Sequence, residues 1–311
     1  MILNIVLAVV GFVVLIKCAD FFVDGASSLA KNLKIPTVVI GLTIVAFGTS
    51  APELAISFSS HISGNTDMMF GNVMGSNVAN ILLILGLAVL IKPFNIAGDV
   101  VKKELPLLLL ITAGVSVLFL NGHALSRPDG IIMLLLFTIF VYYLVSILTN
   151  KKSVSDDTDS KPKYKIIMSC VMVIVGLAGI IIGSNLVVNN AAQFAESIGI
   201  SQKIISVTII SIGTSLPELV TTVVAARKGE NSLAIGNIIG SNIFNIAIVL
   251  GLPVVILGEV ATTAFGAVDV GFMLLAVVLL WIFAATGRRL RRYEGAVMLA
   301  VYGVYITYVI L

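Results

Sequence analysis

Two copies of one short polar motif lie inside apolar stretches of the chain. The first is Gly-Thr-Ser-Ala-Pro-Glu at residues 48–53, and the second is Gly-Thr-Ser-Leu-Pro-Glu at residues 213–218. Proline removes a backbone donor and opposes the carbonyl four residues earlier, so each motif predicts an interrupted helix. The carbonyls that such a break frees, with hydroxyl and carboxylate oxygens, are the ligands that a hard cation prefers. The two motifs therefore predict a cation site.

The spacing of the polar residues supports this interpretation. In each copy a hydroxyl residue precedes a carboxylate or amide residue by four positions, which places both side chains on one helix face. The four pairs are Thr49 with Glu53, Ser76 with Asn80, Thr214 with Glu218, and Ser241 with Asn245. The set contains oxygen donors and neither Cys nor His, which favours Ca²⁺, Na⁺ or another hard ion over zinc or copper.

Burying the two glutamates in a membrane costs free energy, which suggests that they have a function. A carboxylate at the centre of a membrane helix costs about 2.5–3.5 kcal/mol, and the pair Glu53 and Glu218 would cost about 5–7 kcal/mol. Bound cations would offset this cost. The alternative is a neutral glutamic acid that forms a hydrogen bond between helices.

The composition indicates a polytopic membrane protein. The 311 residues are 59% hydrophobic and 11% charged, and the mean hydropathy is +1.12. A water-soluble domain does not need so much apolar surface. Cys18 and Cys170 lie in apolar stretches and indicate neither a disulfide framework nor a zinc site. The first residues carry no basic region, so we expect no cleaved signal peptide.

Apolar stretches of about 20 residues predict ten transmembrane helices. They lie near residues 2–23, 36–60, 68–91, 104–121, 129–149, 165–195, 202–226, 232–257, 266–286 and 293–311. We expect one half at residues 1–149, a cytoplasmic linker at 150–164, and a second half at 165–311.

The distribution of basic residues predicts the orientation. Sixteen Lys and Arg residues lie in the loops after the odd-numbered spans, and the opposite loops hold Arg127 and Lys203. By the positive-inside rule, both termini lie outside and the linker is cytoplasmic. Arg288, Arg289, Arg291 and Arg292 form a topogenic cluster that could also contact anionic lipid.

The two halves are related by an internal repeat. A shift of 165 residues aligns residues 20–91 with the second half without a gap, and it superimposes residues 48–54 on 213–219. Five spans separate the copies, and this odd number predicts opposite orientations in the membrane. We therefore expect an all-α polytopic membrane protein of ten transmembrane helices in two inverted five-helix repeats, with helices 2, 3, 7 and 8 broken.

Asp20 and Asp24, which align with asparagines, are interpreted as interfacial acids rather than as part of an ion path.

The motifs resemble the two alpha repeats of the sodium/calcium exchanger family, within the calcium/cation antiporter superfamily. The similar segments are GTSAPEL with GNVMGSNVAN, and GTSLPEL with GNIIGSNIFN. The short linker is similar to that of compact bacterial and archaeal members. The resemblance implies an ion site on helices 2, 3, 7 and 8. The implied ligands are Glu53, Glu218, Thr49, Ser50, Thr214, Ser215, Ser76, Ser241, Asn80 and Asn245, with the backbone carbonyls of Ala46 and Ser211. Many members of the family carry Asp where this chain has Asn245, so the site has two carboxylates rather than three.

The expected function is secondary antiport, in which Ca²⁺ leaves the cytoplasm while Na⁺ enters through one midplane site in alternation. Exchange of Ca²⁺ for H⁺, or coupling to K⁺, is the alternative, and a cation channel is a competing class. An enzyme is not expected, because no nucleophile–base pair or H-E-x-x-H motif lies within a span. Ca²⁺ and Na⁺ are transported substrates, and we expect no cofactor. The expected partners are these ions and the bilayer of the inner membrane, with no nucleic acid. A single chain should suffice for transport, and the oligomeric state stays open.

Overall fold

The computed structural model describes residues 2–122, 124–149, 161–199 and 211–310. Residues 150–160 of the predicted linker and residues 202–210 of predicted span 7 therefore lie outside the described residues. The helices in chain order are α1 (Ile2–Leu33), α2 (Thr37–Thr49), α3 (Ala51–Ile62), α4 (Thr66–Ile91), α5 (Val100–Leu120), α6 (Arg127–Thr149), α7 (Ile166–Ser197), α8 (Ser211–Thr214), α9 (Leu216–Lys228), α10 (Asn231–Leu257), α11 (Ala267–Ala285) and α12 (Arg292–Ile310).

The prediction of a helical polytopic membrane fold is confirmed. Within the described residues, seven helices are long and apolar enough to cross a membrane, and the bent pair α2–α3 brings the number to eight. The exact number of ten spans stays a prediction. Helices α4 and α10 are mostly buried, whereas only 17% of the most apolar 18-residue stretch of α1, and of that of α6, is buried. Because lipid is as apolar as a protein core, these exposed side chains are suited to contact with the bilayer.

Two of the four predicted helix breaks occur at matching serines. The axis bends by 44° between α2 and α3, where Ser50 has φ −87° and ψ 6°. Ser215, between α8 and α9, has nearly the same conformation, with φ −86° and ψ 5°. Pro52 and Pro217 follow in the first turns of α3 and α9, where the missing N–H is tolerated. The proline motif thus ends one helix and starts the next.

The predicted breaks in helices 3 and 8 take another form. Helices α4 and α10 run without interruption, but each contains a π-helical segment, Ala79–Leu85 in α4 and Asn245–Leu250 in α10. A π segment admits an extra residue without ending the helix, and it alters the direction of the side chains that follow. Asn80 and Asn245 lie at the starts of these segments.

Glycines bring the helices of the core into close contact. Helix α2 approaches α10 so closely that a Cβ on Gly41 would lie 2.7 Å from the Leu233 carbonyl oxygen, and one on Gly236 would lie 2.6 Å from the Val38 carbonyl oxygen. Close backbone approach at small residues is the usual basis of packing between membrane helices. This contact positions the polar end of α2 beside α10.

Two pairs of short antiparallel strands, which were not predicted, connect the loops. Strand β1 (Phe94–Asn95) pairs with β4 (Arg289–Leu290), and β2 (Ala124–Leu125) pairs with β3 (Val260–Ala261). Each pair joins a loop of the first half of the chain to a loop of the second half. His123, which directly precedes β2 in the sequence, lies outside the described residues.

Helices α1 and α7 pack along each other through glycines. A Cβ on Gly183 would lie 2.8 Å from the backbone nitrogen of Leu15, and one on Gly25 would lie 2.6 Å from the Cβ of Met172. These separations are too short for any residue larger than glycine unless the helices move apart.

We expect Gly183→Ala to destabilise the protein by about 1–3 kcal/mol, the usual cost of overpacking a close interface. Gly303→Ala is the matched control, because a Cβ at this position of α12 meets nothing within 4 Å. The measurement is the thermal unfolding midpoint of both variants in detergent. Equal midpoints for the two variants would show that α1 and α7 can separate freely.

Candidate cation site

Both motif glutamates lie in the first turns of helices that begin inside the protein. Glu53 is in the first turn of α3, Glu218 is in the first turn of α9, and neither is exposed to solvent. The partial positive charge at a helix N-terminus favours a carboxylate in the first turn. Two carboxylates that were both ionised in one buried site would repel each other. The break therefore gives each acid a local stabilisation that an unbroken helix would not supply.

The serines at the breaks link the two halves of the chain. Neither Ser50 nor Ser215 uses its side chain to cap the helix that follows. Instead the Ser50 hydroxyl donates to Glu218 Oε1 at 3.0 Å, and the Ser215 and Ser76 hydroxyls lie 3.4 Å apart. Each serine thus reaches a residue from the other half of the chain.

Thr49 also reaches across the halves. Its hydroxyl lies 3.1 Å from the Val45 carbonyl, 3.4 Å from the Ala46 carbonyl and 3.3 Å from Asn237 Oδ1. A hydroxyl has a single proton, so Thr49 can donate a full hydrogen bond to only one of these three acceptors at a time. The Ala46 carbonyl also accepts the Ser50 backbone N–H at 3.0 Å, which leaves limited capacity for the ion contact that the resemblance implied. The side chain of Ser211 lies outside the described part of the chain.

Several buried polar atoms converge here without a partner. In the described part of the chain, no hydrogen bond reaches either carboxylate oxygen of Glu53, Glu218 Oε2, the Ser241 hydroxyl, or the amide groups of Asn80 and Asn245. All five residues have no solvent exposure. A buried polar atom without a hydrogen bond costs about 1–3 kcal/mol. The oxygens among these atoms are ones that a hard cation would satisfy.

The structure adds residues that the sequence interpretation missed. Asn237 of α10 accepts from Thr49 and donates to the Thr222 hydroxyl at 2.9 Å. Asn72 of α4, its counterpart in the repeat, donates to the Glu53 carbonyl at 3.0 Å. Both asparagines were visible in the matching Gly-Asn pairs of the repeat. Neither asparagine lies four residues from a motif carboxylate, so the spacing did not indicate a role for them. Their contacts are visible only in the folded structure.

Ser57 and Thr221 extend the polar region beyond the glutamates. Ser57 lies one turn after Glu53 on α3, and both hydroxyls are fully buried. Neither forms a hydrogen bond within the described residues. A polar strip along α3 thus continues from the carboxylate toward the end of the helix.

Asp20 and Asp24 lie apart from the unpartnered polar atoms. Lys228 contacts both carboxylates, at 2.8 Å and 2.6 Å, and Lys163 contacts Asp24 at 2.8 Å. The hydrogen bond to Asp24 raises the pKa of the Lys163 ammonium above its ordinary value. These ion pairs support the interpretation of both acids as interfacial residues. They also connect α1 to the end of α9.

Comparison with known proteins identifies relatives across the whole chain. The family described as "Sodium/calcium exchanger protein" matches residues 3–146 and 168–311. The candidate antiporter CaxA of Alkalimonas amylolytica is 40% identical over 309 residues, which are 96% of each chain. Inner membrane protein YrbG of Escherichia coli strain K12 is 39% identical over 289 residues, 90% of this chain and 88% of that protein. The solved structure of the sodium-calcium exchanger NCX_Mj, soaked with Na⁺ and Ca²⁺, superimposes with a TM-score of 0.86 at 29% identity and covers 99% of this chain and 98% of that chain.

We expect Glu53→Gln and Glu218→Gln each to weaken Ca²⁺ binding at least about tenfold, which corresponds to about 1.4 kcal/mol. Each change removes one of two negative charges while it preserves the shape of the side chain. The measurement is calorimetric titration of Ca²⁺ into the purified protein. Glu104→Gln is the matched control, because Glu104 is also buried but bonds to Tyr143 rather than to the site. If either variant binds Ca²⁺ with the wild-type affinity, the glutamate that it replaces is not a ligand of the site.

Proposed function

The chain belongs to the sodium/calcium exchanger family, and we propose that it exchanges Ca²⁺ for Na⁺ across the cytoplasmic membrane by alternating access. A calcium/cation antiport activity follows from this membership. The choice of Na⁺ as the counter-ion rests on the hard oxygen donors and on the resemblance of both motifs. In this proposal Ca²⁺ leaves the cell and Na⁺ enters.

The observation that carries the proposal is the group of unpartnered polar atoms at the junction of α3, α4, α9 and α10. Three carboxylate oxygens, two amide oxygens and one serine hydroxyl are available within it. Ca²⁺ takes six to eight oxygen ligands, and Na⁺ is also a hard cation. We propose as ligands the two glutamates, the hydroxyls of Thr49, Ser50, Ser76, Thr214, Ser215 and Ser241, the amides of Asn80 and Asn245, and the carbonyls of Ala46 and Ser211.

Charge balance explains how two ions can compete for one site. Two carboxylates balance one Ca²⁺ or two Na⁺, and a balanced site crosses the membrane interior more easily than an empty, doubly charged one. Exchange follows, because the protein changes its orientation readily only when ions occupy the site. A third Na⁺ would have to bind without a carboxylate of its own, because position 245 is Asn.

The topology that we propose has two inverted halves, residues 1–149 and 165–311, joined by a cytoplasmic linker at 150–164. The matching conformations of Ser50 and Ser215 and the matching π segments support an equivalence of the halves. The charge distribution of the loops supports an orientation with both termini outside.

A second candidate function is exchange of Ca²⁺ for H⁺. It is favoured by the same pair of buried carboxylates, since one of them, Glu53, has no hydrogen-bond donor to either side-chain oxygen among the described residues. Two protons would neutralise the site as well as two Na⁺ would. The discriminating quantity is the gradient that drives Ca²⁺ uptake.

We expect ⁴⁵Ca²⁺ uptake into proteoliposomes to follow an opposing Na⁺ gradient, because Na⁺ is the hard cation that the proposed donor set accepts in place of Ca²⁺. Opposing H⁺ and K⁺ gradients are the comparison conditions, with the Glu53→Gln variant as the inactive control. Uptake driven by the H⁺ gradient alone would replace the Na⁺ proposal with the second candidate. Downhill Ca²⁺ flux that needs no counter-ion would indicate a channel.

We expect Asn245→Asp to change the coupling ratio. The variant restores a third carboxylate to the site, which should then hold one more positive charge, either a cation or a proton. The measurement is the charge moved per Ca²⁺ in proteoliposomes, at several pH values, for the variant and the original protein. Identical ratios and pH profiles would place position 245 outside the coupling site.

We also propose that α1 and α7 move across a core of α2–α4 and α8–α10. The ion pairs between Asp20 and Asp24 of α1 and Lys228 of α9 would then hold one conformation. Asp20→Cys with Lys228→Cys, joined by a short thiol-reactive linker after Cys18 and Cys170 are replaced by Ser, should block transport and preserve Ca²⁺ binding. Transport by the fully linked protein would refute this motion, and the unlinked double variant is the control.

A further inference from the structure

Four arginines lie in the turn that joins α11 to α12, away from the cation site. Arg288, Arg289, Arg291 and Arg292, which we call the arginine turn, are all exposed. Among the described residues, no carboxylate lies within 4.0 Å of any of their guanidinium groups, whereas Lys31, Lys103, Lys163 and Lys228 each have an acidic partner. The acidic residue beside the turn, Glu294, accepts the Arg291 backbone N–H at 2.7 Å and pairs with none of the four guanidinium groups. The arginine turn therefore keeps a net positive charge.

The fold holds this turn in a fixed place. Arg289 of β4 lies opposite Asn95 of β1, and the Ile96 backbone N–H donates to the Arg288 carbonyl at 2.7 Å. The turn is thus tied to the loop between α4 and α5. At the start of α5, Lys102 is exposed and adds a further charge at the same end of the bundle, while the charge of Lys103 is offset by Asp99 at 3.3 Å.

Arg288 occupies a strained backbone conformation. Its φ is +51°, and Lys34 is the only other described non-glycine residue with a positive φ. The left-handed region disfavours a side chain with a Cβ. The Arg288 guanidinium lies over Gly98, where a Cβ would come within 3.2 Å of its Cζ and Nη1 atoms. The absence of a side chain at Gly98 thus makes room for the Arg288 guanidinium beside the β1–β4 pair.

A second arginine is held by an aromatic ring. Nη1 of Arg291 donates to the Tyr293 hydroxyl at 3.2 Å, and the guanidinium carbon lies 5.9 Å from the centre of the same ring. Tyrosine is favoured at membrane interfaces because it has an apolar body and a polar tip. Exposed Ile282 and Val297 lie on the adjoining turns of α11 and α12. Net positive charge and exposed apolar side chains therefore meet at one place.

The other strand pair shows that the fold itself does not require these arginines. Strands β2 and β3 form a similar antiparallel pairing, one residue out of register with β1 and β4 under the 165-residue shift. The residues that correspond to 288–292 under this shift are His123-Ala-Leu-Ser-Arg127. One arginine is enough for that turn. The other three positive charges of the arginine turn are therefore not needed to form a turn of this kind.

We propose that the arginine turn binds the headgroup of an anionic phospholipid of the phosphatidylglycerol class. The planar guanidinium group donates two parallel hydrogen bonds to a phosphate, so separate arginines can contact one headgroup from several sides. The exposed apolar residues beside the turn contact the acyl chains of the same lipid. This binding site is independent of the proposed ion exchange.

The fluorescence of a tryptophan near the arginine turn can report the binding of this lipid. Trp281 is its single tryptophan, and its indole Nε1 donates to the Val101 carbonyl at 3.0 Å, which places the ring next to the start of α5. Bromine atoms on lipid acyl chains quench tryptophan fluorescence on close approach. The test compares quenching by brominated phosphatidylglycerol with quenching by brominated phosphatidylcholine at the same mole fraction in proteoliposomes.

The expected result is a preference of about fivefold or more for phosphatidylglycerol, the factor that corresponds to the attraction of one basic residue or more to an anionic surface. Arg288→Gln combined with Arg291→Gln should remove this preference. Gly98→Val should reduce it with no change of charge, because the valine displaces the Arg288 guanidinium. Lys103→Gln is the matched control and should retain it, because the charge of Lys103 is already offset by Asp99.

Equal quenching of the original protein by the two lipids would overturn the proposal and leave the arginines with a role in membrane insertion alone. A preference that survives Arg288→Gln combined with Arg291→Gln would overturn it as well. Tryptophan emission and the unfolding midpoint of each variant confirm that it is folded, so a loss of preference is not confused with a loss of structure.

Discussion

The absence of water in the membrane interior is the constraint on which this structure depends. A polar group there must find a partner inside the protein, because lipid supplies none. Most of the chain meets this demand with helices whose backbone groups bond within each helix. The exceptions are concentrated at the breaks at Ser50 and Ser215 and along the facing stretches of α4 and α10, where buried oxygens and amides have no partner among the described residues. These are the atoms on which the proposed cation site rests, because their oxygens are the ligands that a hard cation prefers.

Close packing makes this concentration possible. Helix α2 approaches α10 through Gly41 and Gly236, and this contact brings the Thr49 hydroxyl within reach of Asn237. A larger residue at either glycine would separate the helices and break the bridge. The polar site therefore rests on close backbone packing at these two glycines, which matter as much as the acidic residues.

Much of the fold, and the buried positions of the candidate site residues beside the helix breaks, could be predicted from the sequence, since both depend on strong local signals. Hydropathy indicated the membrane helices, and Pro52 and Pro217 indicated the breaks that the structure shows. The π segments at Asn80 and Asn245 could not be predicted, because a π-helical turn has no distinctive amino-acid composition. The bridge through Asn237 could not be predicted either, since it depends on the distance between helices far apart in sequence. The strained conformation of Arg288 likewise depends on a strand pairing between residues that lie almost 200 positions apart.

The two glutamates, although equivalent in the repeat, have unequal surroundings in this conformation. Glu218 accepts a hydrogen bond from Ser50, but the counterpart of that donor, Ser215, lies against Ser76 and leaves Glu53 without one. In this conformation both side-chain oxygens of Glu53 lack a hydrogen-bond donor among the described residues, whereas Glu218 has only Oε2 without one. A hydroxyl on a carboxylate competes with a cation for the same oxygen. The proposed cation site is therefore asymmetric in this conformation, and Glu53 is the carboxylate that offers more unbonded oxygens to an ion.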